Sequence, residues 1–173
     1  MTSIEAKSET ARGRAIYEML LAVHASIRRN LDLIEALATQ AVNGIDAEDL
    51  RRQVHALKRD SMLWRLQVNC LRYCSFVHSH HNAEDRDFFS ELRDTDPAIN
   101  PVIDRLEADH RRVSDDLDAV EAAANALADD DGPQVRGALV DALQTLSENL
   151  LAHLEYEERS IKDTVLRLRE YTQ

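Results

Sequence analysis

The feature that most narrows the fold is a set of four long stretches in which apolar residues recur every third or fourth position. The first runs Tyr17, Leu20, His24, Ile27, Leu31, Ile34 and Ala38. The second, within 46–93, runs Leu63, Leu66, Cys70, Tyr73 or Cys74, Val77, His80 or His81, Glu84, Phe88 and Leu92. The third is Ile103, Leu106, His110, Val113, Leu117, Val120, Ala124 and Leu127, and the fourth is Leu139, Leu143, Leu146, Leu150, His153, Glu157, Ile161, Val165 and Leu168. This spacing stacks side chains on one face of a helix, so each stretch predicts an amphipathic helix with one stripe to bury.

Helix-stopping residues separate the stretches: Asn43-Gly44, Asp94-Thr95-Asp96-Pro97 and Asp129-Asp130-Asp131-Gly132-Pro133. With only four Gly and three Pro in 173 residues, the chain lacks the turn residues that a fold of many short strands needs. Its length suits one domain. Four helices with short connections pack most simply as an all-α, antiparallel up-down-up-down four-helix bundle, expected over 12–168, with 1–11 as a flexible leader.

Thirty-two acidic residues against 21 basic ones give a formal charge of -11, which disfavours nucleic acid and anionic membranes as partners. The Arg28-Arg29 and Arg111-Arg112 pairs are too short to form a basic patch. No apolar run approaches the ~20 residues that span a bilayer, and the first residues lack an export pattern, so a cytoplasmic protein is expected. Cys70 and Cys74, four apart on one helix, are read as small buried groups of a reduced protein.

The stripes are interrupted by polar residues where a core should be. His24, His80, His110 and His153 each take a stripe position on a different helix. Counting from the helix ends brings His80, Glu84, His110, His153 and Glu157 to one level; His24 joins them if the second bundle helix starts near residue 60. Residues 46–59 then form either a separate short helix or an overshoot. Two of the histidines have a carboxylate one turn later, in His80-His81-Asn82-Ala83-Glu84 and His153-Leu154-Glu155-Tyr156-Glu157. Burying two carboxylates without partners costs several kcal/mol each, roughly a domain's whole margin of stability, so metal ligation explains them better than an unpaired polar core.

Mixed imidazole and carboxylate donors on facing helices suit iron or manganese, and six candidates exceed the needs of one tetrahedral ion. Bridging carboxylates hold two ions about 3.5 to 4 Å apart. Some positions stay open: His81 with Asp85 is an alternative pair, Glu158 an alternative to Glu157, and Glu107, three before His110, is a further inward candidate. His78 and His55 lie off the stripes and are read as solvated, with His78 able to meet a carboxylate at the rim.

This constellation resembles the hemerythrin-like family, in its bacterial HHE cation-binding branch, over roughly residues 15–168. The resemblance rests on His24, on the string from His80 to Phe89, on Asp109-His110 and on His153 to Glu158. It implies a four-helix bundle with two iron ions (Fe2+/Fe3+) joined by an oxo or hydroxo bridge. By similarity His24, His80, Glu84, His110, His153 and Glu157 are the metal ligands, with Glu84 and Glu157 bridging. Oxygen carriers of the family use five histidines, two of them four apart on the third helix; here that position is Leu106. They also have Asp at plus five where the last motif here has Glu at plus four.

The resemblance therefore implies binding of, or reaction with, a small diatomic or peroxide ligand: O2, hydrogen peroxide or nitric oxide. Catalase- or peroxidase-like turnover would make the protein an enzyme; an iron, oxygen or redox sensor without turnover is the alternative, and a metal-free helical interaction protein a third class. Leu20, Ile27, Val77, Leu106, Val113 and Leu150 are expected to shield the site, and Tyr73 or Tyr156 to offer a proton or electron. A monomer or weak homodimer, the latter through the exposed side of the second helix around Trp64, is expected.

Overall fold

The computed structural model describes residues 9–42, 62–130 and 132–170. They form α1 (Ala11–Val42), α2 (Met62–Ala83), a π-helical turn (Glu84–Phe88), α3 (Phe89–Thr95), a short 3-10 turn (Pro97–Ile99), α4 (Asn100–Ala126) and α5 (Pro133–Val165), with no strand among the described residues. α2, the π turn and α3 act as one long bundle member. Each member packs on its neighbours in sequence, and α5 closes the square against α1. This is the expected all-α four-helix bundle. Residues 46–59, whose arrangement was open, lie outside the described residues, as do the side chain of Trp64 and His55.

Asn43-Gly44 lies outside the described residues; the other breakers act where expected. Asp96 is extended and its carboxylate accepts from the Ala98 amide at 3.2 Å, which caps the turn after α3. Pro97, Pro101 and Pro133 each sit in the first turn of the element they open, where the missing N–H costs nothing. At the other end Thr10 caps α1: its hydroxyl accepts from Gly13 N at 2.8 Å and donates to Leu168 O at 2.7 Å, and its amide donates to Leu166 O at 2.8 Å. Residues 1–8 of the expected leader lie outside the described residues. α1 meets the end of α5 so closely that a Cβ at Gly13 would lie 2.4 Å from Val165 O.

Two apolar clusters fill the bundle. One joins Ile27, Leu31 and Ile34 to Leu66, Cys70, Val77, Val113, Leu117, Leu146 and Leu150. The other joins Leu20 to Phe89, Leu92, Ile103, Leu106, Ile161 and Val165. Every third- and fourth-stripe residue is buried, and so is the first stripe apart from half-buried Tyr17. Between the clusters lies a polar layer: His24, His81, Glu84, His110, His153 and Glu157 are all buried there.

One stripe position needs correction. Phe88 is only half-buried and its place in the core is taken by Phe89. The buried series on this member is Val77, His81, Glu84, Phe89 and Leu92, with a step of five at the π turn. A π turn inserts one extra residue into a helix, so everything after Glu84 is advanced by one position.

Candidate metal centre

The four stripe histidines meet as two pairs. His24 Nε2 lies 3.1 Å from His80 Nε2, and His110 Nε2 lies 3.2 Å from His153 Nε2. Two donors bound at about 2.1 Å and right angles on one ion stand about 3 Å apart, which is the spacing seen in both pairs.

The two glutamates stand between the pairs. Glu84 Oε1 is 3.4 Å from His80 Nε2, while Glu84 Oε2 is 3.6 Å from His110 Nε2. One carboxylate thus turns an oxygen to each pair. Glu157 Oε2 is 3.4 Å from His24 Nε2 and 3.7 Å from His153 Nε2, so it too faces both. None of the four carboxylate oxygens has a hydrogen-bond partner, and Glu157 is fully buried. Orphaned buried acceptors of this kind carry a large desolvation cost that a cation would repay. His24, His80 and Glu84 form one group able to hold a metal ion, Glu84, His110 and Glu157 a second, and His81, His110 and His153 a third.

Burial dominates the protonation states. It lowers the pKa of every imidazole in the layer: His80 falls to about 4 and His153 to about 3, with neighbouring rings adding to the effect. His24, His81 and His110 are lowered for the same first reason. Burial also raises Glu84 and Glu157; the mutual proximity of the two carboxylates adds to the rise at Glu84, and Glu158 adds to that at Glu157. The layer therefore favours neutral rings, which is the state a metal needs.

The residues following the two glutamates orient the rings. Asp85 Oδ1 lies 2.7 Å from His110 Nδ1, and Glu158 Oε1 lies 2.9 Å from His24 Nδ1. A carboxylate only accepts, so each Nδ1 carries the proton and leaves the Nε2 lone pair facing the layer. Arg28 holds Glu158 in place at 2.7 Å. The alternatives left open by sequence thus separate: Glu84 and Glu157 face inward, while Asp85 and Glu158 reach across to a histidine on another helix.

His81 was not in the expected ligand set, yet it is more buried than His80. Its ring stacks on His110 with centroids 4.0 Å apart and planes 10° apart, and Phe89 also lies near-parallel to His110 at 5.3 Å. The doubled His80-His81 was the available signal. Glu107 is drawn instead to Arg93 at 3.1 Å. His78 pairs at the rim with Asp118 at 3.6 Å. The Tyr156 ring lies under the Arg105 guanidinium, 3.6 Å from it. Tyr73 belongs to the apolar cluster two turns before His80, about 10 Å along the axis. The six expected shielding residues, Leu20 through Leu150, are all buried.

No helix among the described residues is long and apolar enough to cross a membrane. No curated protein and no solved structure matches the chain. The family profile of the hemerythrin HHE cation binding domain matches residues 15–165. With that match covering most of the chain, and with His and Glu clusters layered between two apolar cores of a four-helix bundle, the chain belongs to the hemerythrin HHE cation-binding domain family.

Proposed function

We propose that the protein holds two iron ions in the polar layer and there binds or reacts with a small oxidant: O2, hydrogen peroxide or nitric oxide. His24 and His80 would hold one ion, His110 and His153 the other, with Glu84 and Glu157 shared. The observation that carries this reading is the placement of the two Glu84 oxygens, one toward each histidine pair. The donor set fits iron: imidazole and carboxylate without thiolate, on four rigid helices.

Bound there, a pair of irons would supply redox chemistry toward a small ligand. The chain supplies the rest. Two neutral rings are aimed by Asp85 and Glu158, and the Glu84 and Glu157 carboxylates, which would be shared between the ions, have no competing hydrogen bond. The apolar clusters above and below pack against the layer and would keep bulky reductants out.

The test is iron loading of the purified protein followed by anaerobic addition of peroxide. About two irons per chain with near-ultraviolet charge-transfer absorption support the reading, and zinc uptake with no iron uptake overturns it. Sustained O2 release identifies catalase-like turnover, whereas a single oxidation event without turnover favours the sensor alternative. That alternative has its own support: metal bound to the unpartnered carboxylates would make the fold's stability depend on occupancy.

A further inference from the structure

The buried layer contains a fifth imidazole that the six-residue donor set does not use. His81 is 5% exposed and its Nε2 is buried without a hydrogen-bond partner. It stands on the His110/His153 side, 4.0 Å from the His110 ring and 5.2 Å from the His153 ring between centroids, against 5.5 Å to His80. Its nitrogen lies within ligand-group distance of the nitrogens of those two rings.

Face-to-face stacking argues against direct ligation. Two imidazoles bound side by side on one ion point at it from directions about 90° apart, and rings so directed do not lie in parallel planes at 4 Å. His81 and His110 do lie that way, with planes 10° apart. Two rings and two shared carboxylates would leave room at the His110/His153 ion for a further small ligand, and a buried, unpartnered nitrogen seeks a partner of just that kind.

We propose that His81 Nε2 hydrogen-bonds the small anionic or diatomic ligand that enters beside His110 and His153, making it a positioning residue for that ligand and not a metal ligand. This rests on the metal-pair reading above. The ligand class is a compact acceptor of two or three atoms, since His81 stands against the His110 and His153 rings in a layer that apolar clusters close above and below.

The experiment uses azide as probe. Wild type and the His81→Phe, His81→Ala and His81→Gln variants are loaded with iron, oxidised, assayed for metal content and titrated with azide, following azide-to-iron charge-transfer absorption. Phe keeps a ring to stack on His110 but has no nitrogen; Ala removes bulk; Gln restores a polar group. We expect all four proteins to hold about two irons, azide affinity to fall about tenfold or more in both Phe and Ala, and Gln to recover part of it with a shifted band. Loss of iron in His81→Ala overturns the proposal by making His81 a ligand. Unchanged azide affinity in Phe and Ala, or tight binding in Ala with weak binding in Phe, overturns it by reducing His81 to packing. A wild type that takes up no iron pair is a separate result, read from metal content alone, and it removes the metal-pair reading and this proposal together.

Discussion

His110 Nδ1 and Asp85 Oδ1 lie 2.7 Å apart, joining α4 to the π turn that follows α2. The contact fixes the tautomer of a ring whose other nitrogen faces the polar layer. Its counterpart is His24 with Glu158, at the opposite histidine pair. In both cases the orienting carboxylate is the residue after an inward-facing glutamate, so adjacent residues of one element turn one carboxylate into the layer and use the next to align a ring on another helix.

On the metal-pair reading these orienting carboxylates should strengthen metal retention. Asp85→Ala and Glu158→Ala are each expected to weaken iron binding about 10- to 100-fold while leaving the helical circular dichroism unchanged. Competition against a calibrated chelator measures the shift. Affinity equal to wild type in both variants would mean that the rings are held by packing alone.

Glu157 gives two effects of opposite sign. It is fully buried, both oxygens lack hydrogen-bond partners, and burial raises its pKa. The unfolded chain ionises this group at pH 7 at no cost, so the folded apoprotein is penalised. Glu157→Gln is therefore expected to stabilise the apoprotein by roughly 1–3 kcal/mol at pH 7 and to abolish uptake of the iron pair. Thermal unfolding and metal analysis of the same sample check both parts.

The apoprotein is expected to lose stability between pH 6.5 and 4.5. Burial lowers the pKa values of His24, His80, His81, His110 and His153 below the ordinary imidazole value of 6.5, so over this window the unfolded state takes up protons that the folded state refuses. Each such ring costs up to ~1.4 kcal/mol per pH unit. Glu84 and Glu157, raised above 4.5, and Asp85, raised to about 6, act the other way, and they are fewer. Denaturant unfolding of the apoprotein across this range gives the slope; a stability that rises toward pH 4.5 would contradict the neutral-ring layer.

Gly13 marks the closure of the bundle. A Cβ there would meet backbone oxygens of Val165 and Leu166 at 2.4 and 2.6 Å, and backbone cannot swing aside. Gly13→Ala should cost about 1–3 kcal/mol by forcing α1 from the end of α5. Gly137→Ala is the control, since no atom lies within 4 Å of its added Cβ; it should be neutral or slightly stabilising.

Much of this architecture can be read from the chain. Unbroken 3–4 periodicity in α4 and α5 places every stripe residue in the core, because nothing interrupts the helical phase, and misses only the flanking buried residues Asp109, Leu154 and Thr164. Glu84 and Glu157 could be placed inward for the same reason. The swap of Phe89 for Phe88 could not, since the π turn changes the phase without a Pro or Gly to mark it. Nor could the roles of Asp85 and Glu158: adjacent carboxylates differ by 100° on a helix, and which partner each finds depends on a neighbouring helix. His81 was ambiguous because two adjacent rings both border the layer, and only packing against His110 separates them.

On the proposed reading His24, His80, Glu84, His110, His153 and Glu157 hold two irons, bridged by the two glutamates. Iron K-edge X-ray absorption of the reconstituted protein, with metal content from the same sample, tests it most directly. We expect two irons per chain and an iron–iron scattering shell between about 3 and 4 Å, lost in Glu84→Ala. A single iron per chain, or two irons with no iron–iron shell, would contradict it.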